Sequence, residues 1–148
     1  MHKSKIKYNK NRAFTLLELM VVIVILGLLA TVVMPRLLDR PEKARRTKAQ
    51  VEIANLQATL GLFKIDTGRY PTTTEGLAAL VTDPGIDGYN KDGYLDKLPL
   101  DPWGRPYVYL CPGIHSKDYD LISFGKDGES GGTGYDADIQ SWNLDGKS

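Results

Sequence analysis

One stretch constrains this chain more than any other. Residues 14–34, FTLLELMVVIVILGLLATVVM, are apolar, small or hydroxylic throughout, except for one carboxylate, Glu18, near the start. As a helix rising 1.5 Å per residue, such a run reaches across a hydrocarbon layer of about 30 Å. Much of the chain's apolar content sits in this segment. The remainder must therefore fold around a modest core with help from something else. A cleaved secretory signal has a shorter apolar core, about 7–15 residues, and a small-x-small site after it; VVMPRL offers no such site. A plain signal anchor fits the length but leaves Glu18 unexplained, because a carboxylate in hydrocarbon costs about 2.5–3.5 kcal/mol on insertion scales.

The flanks narrow the choice. Lys3, Lys5, Lys7, Lys10 and Arg12 precede the run with no acid among them, and six more Lys/Arg lie from Arg36 to Lys48. Charge alone therefore orients the span weakly, with the short leader favoured on the cytoplasmic side. A cut between Ala13 and Phe14 would explain Glu18. It would place a new ammonium on Phe14, one helical turn from Glu18 and on the same face. Each charge would then lose much of its burial penalty, whether the pair forms within one subunit or between two.

The rest of the chain reads as a small mixed domain. Ala49, Ile53, Leu56, Leu60 and Phe63 form one apolar stripe at helical spacing, which predicts an amphipathic helix over 42–67 capped by Gly68. Pro35 and Pro41 predict a kink or interruption just before it. Thr72 and Glu75 match a capping box and predict a second helix carrying Leu77 and Leu80. Residues 83–106 are rich in Gly, Pro and Asp and read as a long ordered loop, with Trp103 as its anchor on the core. DGYNKDG within it is not an EF-hand, since Tyr89 and Leu98 stand where ligands belong. Two strands follow within 106–124, PYVYL and DYDLISF. In the second, Asp118 and Asp120 alternate with Tyr119 and Leu121, which predicts one wet face.

Charge and rare residues exclude several functions. Up to Ile65 the chain holds 12 Lys/Arg against 4 Asp/Glu; from Asp66 onward it holds 7 against 14. A balance of +8 thus gives way to −7. Cys111 is the only cysteine, so no internal disulfide forms, and with only His2 and His115 there is no zinc cluster. No Ser/His/Asp set or phosphate loop is present, and nothing suggests a nucleic-acid partner. The segment 124–142, FGKDGESGGTGYDADIQSW, carries five glycines between Phe124 and Tyr135 together with Asp127, Glu129, Asp136 and Asp138. Glycines give such a loop little to pack with, so left alone it should be disordered. Two readings fit it: a solvated acidic surface, or carboxylates gathered on a hard cation, for which calcium suits an irregular loop better than magnesium.

The stretch AFTLLELMVVIVILGLLATVVMP resembles the class III signal of type IV pilins and pseudopilins, a basic leader followed by a small residue, F-T-L-x-E and an apolar helix with a proline near its end. Ala stands at position 13, where that family prefers Gly. The blocks RYPTTTEGLAALV, LPLDPWGRPYVYL and DLISFGKDG…DADIQSW are similar to the major pseudopilins of type II secretion systems. The resemblance implies an α+β, type IV pilin-like fold: a long N-terminal helix packed on a small antiparallel sheet with a C-terminal calcium loop. It implies a cleaved leader over 1–13, a membrane and filament-core helix over 14–34, and a periplasmic domain over 35–148. A prepilin peptidase would cut between Ala13 and Phe14 and methylate Phe14, with Glu18 and Pro35 serving assembly. One Ca2+ would be held by Asp127, Asp136, Asp138 and the carbonyl of Phe124, completed by a loop oxygen near Ser130 or Thr133. The implied role is not enzymatic. It is a homopolymer in the periplasm, anchored in the inner membrane before assembly and driving folded proteins across the outer membrane. Its partners would be minor pseudopilins, an inner-membrane assembly platform and a secretion ATPase. The rival readings are a surface adhesion or motility pilin and a membrane-anchored periplasmic enzyme.

Overall fold

A computed structural model of the chain describes residues 14–144, with the side chains of 32–39 left aside. The leader, with Ala13, lies outside the described residues, as does the side chain of Pro35. The chain divides into two compact units, Met1–Asp39 and Arg40–Ser148. Helix α1 is assigned from Leu16 to Thr67, 52 residues. That assignment includes positions 35 and 41, so the expected interruption there is not found. Pro41 removes one N–H from the ladder, and the helix tolerates it.

In the first unit the large apolar side chains of residues 14–29 stand exposed, Phe14 at 78% and Leu16 at 77%. Among the described residues no helix is long and apolar enough to cross a membrane. Residues 32–34 of the expected span lie outside the described side chains.

The second unit is built on the predicted stripe. Ala49, Ile53, Leu56, Leu60 and Phe63 are all at most 2% exposed. They face a three-stranded antiparallel sheet in the order β1-β2-β3, with β1 Val108–Leu110, β2 Asp120–Ser123 and β3 Ile139–Gln140. Val108 pairs with Ile122, and Ser123 pairs with Ile139. Leu121 and Ile139 close the core from the sheet side at 0% and 1% exposure. The fold is thus α+β, a long N-terminal helix with a small antiparallel sheet. The third strand was not expected. Two residues at the end of a glycine-rich segment are too few to show an alternating pattern.

Local chemistry explains the connections. Gly68, at φ 80°, ends α1 by donating its N–H to the carbonyl of Lys64 at 2.8 Å. The capping box is reciprocal: Glu75 N–H donates to Thr72 Oγ1 at 3.2 Å, and Thr72 N–H to Glu75 Oε2 at 2.7 Å. The helix expected after it is only a 3-10 turn, Leu77–Leu80. Gly76, at φ 60° and ψ −165°, diverts the backbone before an α-helix can propagate. Arg69 grips both oxygens of Glu75 at 2.7 Å, and this contact, with the Thr72 N–H, pulls the Glu75 carboxyl down to about 2.

Asp120 corrects the expected wet face. It is 1% exposed. Its carboxylate accepts the backbone N–H groups of Ile114, His115 and Ser116, each at 2.8 Å. Burial alone would raise its pKa, but these donors and the His115 ring outweigh burial and hold the carboxyl below its usual range. The residue organises the turn between β1 and β2.

Candidate functional site

Two regions carry the candidate site residues, one at each end of the described chain. At the N-terminal end, Thr15 caps α1: the Glu18 N–H donates to Thr15 Oγ1 at 3.2 Å. Glu18 lies in the first turn of α1, where the positive end of the helix dipole favours a carboxylate. Glu18 thus stands where a helix starts, a place that the sequence reading, which gave it only a charge partner, did not include. The T-x-x-E spacing carried that signal.

At the other end lies the acidic glycine loop. Gly125, Gly128, Gly131, Gly132 and Gly134 all have positive φ. Close approach makes two of them necessary. A Cβ at Gly125 would sit 2.8 Å from the Ala137 carbonyl, and one at Gly132 would sit 2.6 Å from that of Asp136. The loop folds on itself through backbone bonds: Lys126 N–H to the Tyr135 carbonyl at 3.2 Å, and Asp138 N–H to the Gly131 carbonyl at 3.1 Å.

Left alone, this loop was expected to be disordered. Two arginines hold it from outside instead. Arg105 donates to the carbonyls of Gly125 at 2.9 Å, Lys126 at 3.1 and 3.2 Å, and Asp127 at 3.2 Å. Arg46 of α1 donates to the Ala137 carbonyl at 2.5 Å. Sequence reasoning missed both. They lie 20 and 91 residues from the carbonyls they reach, and side-chain-to-backbone bonds leave no periodic trace.

The expected ligands are placed unequally. Asp127, Ser130, Thr133 and Asp136 are exposed, while Asp138 and Phe124 are half-buried. Asp127 Oδ1 accepts the Glu129 N–H at 3.1 Å, and the Phe124 carbonyl accepts the Gly128 N–H at 3.2 Å. Asp138 Oδ2 accepts the Gly131 N–H at 3.1 Å, whereas its Oδ1 is buried with no partner. Among the described residues no three His, Cys, Asp or Glu side chains are grouped to hold a metal ion. The fit to a hard cation therefore rests on the donor chemistry. A buried carboxylate oxygen without a partner costs about 1–3 kcal/mol or more, and the other polar side chains of residues 125–138, those of Lys126 and Tyr135 apart, are carboxylates and hydroxyls. Oxygen donors of that kind are the ones calcium takes, and soft metals prefer sulfur.

Residues 36–142 match the family described as Type II secretion system (T2SS), protein G. The chain belongs to that family. Residues 8–34 match the Prokaryotic N-terminal methylation motif, which brackets Phe14 and Glu18. The type II secretion system core protein G of Pseudomonas aeruginosa is 50% identical over 133 residues, covering 87% of this chain and 93% of that protein. That of Escherichia coli K12 is 48% identical, covering 94% and 96%. Among solved structures, the major pseudopilin from the type 2 secretion system of enterohaemorrhagic Escherichia coli is 41% identical. It aligns with a TM-score of 0.62 over 74% of this chain and 96% of that one. The protein G assignment agrees with the resemblance read from the N-terminal signal and the three C-terminal blocks.

Proposed function

We propose that the chain is the major structural subunit of a type II secretion pseudopilus, made as a membrane-anchored precursor and polymerised into a periplasmic filament. The observation that carries this reading is the joining in one chain of a methylation motif over 8–34 to a protein G domain over 36–142. Cleavage between Ala13 and Phe14 removes five positive charges and leaves an ammonium at Phe14. The segment 14–34, exposed and apolar where described, provides first a membrane anchor and then a filament core. Glu18 receives the Phe14 ammonium of the same or an incoming subunit. The role is structural, and the other components of the secretion machinery supply cleavage and energy.

The same reading gives the acidic loop one calcium ion. Asp138 would anchor it through the Oδ1 that has no partner, with Asp127, Asp136, the Phe124 carbonyl and an oxygen of Ser130 or Thr133 as the remaining donors. The ion supplies divalent charge that balances the loop's carboxylates. Arg105 and Arg46 keep the loop's backbone in place by occupying its carbonyls.

Mass spectrometry of sheared filaments tests the first part. The expected N-terminus is a methylated Phe14, and Glu18→Ala is expected to insert and fold but to yield at least tenfold less filament. Assembled material that retains Met1, together with normal filaments from the Glu18→Ala chain alone, would overturn the reading.

A further inference from the structure

The chain that leaves the acidic loop is fastened to α1 by donors that α1 supplies. Arg46 donates to the carbonyls of Ala137 at 2.5 Å and Asp138 at 3.5 Å. Gln57 donates to the Ser141 carbonyl at 3.3 Å, and Gln50 to that of Leu144 at 2.6 Å. Steps of four and seven residues keep Arg46, Gln50 and Gln57 on one face of the helix, over about 16 Å of its length. Between these anchors the chain turns back on itself, with Asn143 N–H donating to the Gln140 carbonyl at 3.1 Å. Ile139 enters the core at 1% exposure, and Trp142 stacks on the His115 ring with centroids 4.2 Å apart. β3 itself is only two residues long, too short to hold its place by strand pairing. Residues 137–144 therefore form a strap, tied to α1 through its backbone carbonyls.

The strap and the acidic loop share a residue. The N–H and Oδ2 of Asp138 close the loop on Gly131, each at 3.1 Å, while its carbonyl receives Arg46. A loop that opens at Gly131 carries the first anchor of the strap away with it. The converse also holds, because two events joined at one residue bias each other by the same free energy. A strap pulled off α1 makes the loop harder to close.

We propose that the acidic loop and the strap close as one unit, with Arg46 as the positioning residue at the joint, so that a cation in the loop fastens residues 139–144 to α1. The proposal rests on the calcium reading above and adds what the ion controls. With the loop unoccupied, the strap loosens and uncovers the core around Ile139. Arg46 acts through the backbone it holds, not through its charge. Charge alone has the opposite sign, since removing a cation from beside a cation site tightens binding there.

Calcium titration of the purified full chain in detergent tests it, with affinity read by calorimetry and strap closure by hydrogen exchange. Saturating calcium is expected to slow amide exchange over 139–144 by about tenfold against chelator. Gln50→Leu breaks the far anchor of the strap, six residues from Asp138. It is expected to weaken calcium binding about fivefold, the equivalent of one hydrogen bond of about 1 kcal/mol. Arg46→Met, which removes two bonds, is expected to weaken it about tenfold. Asp101→Ala, outside both loop and strap, should leave the affinity unchanged. Unchanged affinity in Gln50→Leu, or tighter binding in Arg46→Met, overturns the proposal and leaves the calcium reading standing. Calcium binding without slower exchange over 139–144 does the same. No calcium binding by the unsubstituted chain overturns both. Should Arg46→Met fail to fold by circular dichroism, Gln57→Leu replaces it, with weaker binding expected and unchanged binding overturning the proposal.

Discussion

Two glycine-bearing loops of the distal unit are held in different ways. Residues 83–106 bring their own anchors. Tyr89 and Tyr94 pack on Phe63 with ring centroids 6.1 and 5.4 Å away, and the Tyr94 hydroxyl donates to Asp66 Oδ2 at 3.0 Å. Trp103 reaches back to α1, donating Nε1–H to Glu42 Oε2 at 3.1 Å. Buried Asp101 ties the end of the loop together, accepting from Trp103 N–H at 3.1 Å, Arg105 N–H at 2.8 Å and the Ser123 hydroxyl at 2.8 Å. Residues 125–138 have Tyr135 and Ala137 as their only aromatic and aliphatic side chains. Arg105 of the first loop and Arg46 of α1 hold that loop, and its Asp138 Oδ1 is buried without a partner, as is the Tyr89 hydroxyl of the first loop. Packing closes the first loop, so its stability belongs to the chain itself. The second is closed by bonds from arginines to its backbone, and the proposed ion would make its stability depend on the solution as well.

The largest expected effect probes the first loop. Asp101→Ala leaves Ser123 Oγ and two backbone N–H groups without their acceptor in a buried place. A cost of about 3 kcal/mol is expected, on the order of 12 °C in melting temperature for the unit from Arg40 onward. Thermal unfolding followed by circular dichroism measures it. The loss should be the same in calcium and in chelator; a calcium-dependent loss would mean that the two loops are one cooperative structure.

Calcium is expected to act on the second loop alone. An ion that binds only the folded form stabilises it by about 2.7 kcal/mol at a hundredfold excess over Kd, on the order of 10 °C. Magnesium should do little, because it resists irregular shells. Asp138→Asn is expected to abolish the calcium response. In chelator it should cost nothing, since it removes a buried carboxylate with an unpartnered oxygen. Melting curves in calcium, magnesium and chelator decide this. A wild-type curve indifferent to chelator would show that Arg105 and Arg46 suffice to hold the loop.

A smaller effect is expected at Trp103. Trp103→Phe keeps most of the packing and loses the bond to Glu42, about 1 kcal/mol. The shift should appear equally with and without calcium. A shift seen only in calcium would place Trp103 in the acidic loop's network instead of the first loop's.

How legible each region was in the sequence follows the same division. The helix stripe and the capping box were readable because their partners lie three or four residues apart. Glu18 was readable as an anomaly, but the Thr15 cap beside it was overlooked. Asp120 was misread, because a strand pattern cannot show that the preceding turn folds back to present three N–H groups to one carboxylate. The acidic loop was readable as a segment dense in glycines and carboxylates. Its supports, Arg46 and Arg105, were invisible, because a bond from an arginine to a distant carbonyl imposes no pattern on the residues between. The aspartates that the resemblance implied as ligands, Asp127, Asp136 and Asp138, are not grouped as three side chains among the described residues. The one set apart by the structure is Asp138, whose Oδ1 is buried without a partner.

The smallest expected effect lies outside both loops and serves as their control. Arg69 and Glu75 form a bidentate pair on the surface, with side chains 40% and 22% exposed. The Glu75 carboxyl titrates at about 2 in the folded chain, against an ordinary value of 4.5. A lowered folded pKa means that the stabilisation is complete above about 4.5 and is lost as pH falls from there toward about 2. Solvent screens so exposed a pair, so the gain is under about 1 kcal/mol. Arg69→Met should therefore lower the melting temperature by only a few degrees at pH 7 and flatten its pH dependence between about 4.5 and 2. Calcium should not alter that difference, since no loop oxygen touches either residue. If the variant lost its calcium response at neutral pH, the capping turn and the acidic loop would have to share one folding unit, and the separation between a chain-closed and an ion-closed loop would fail.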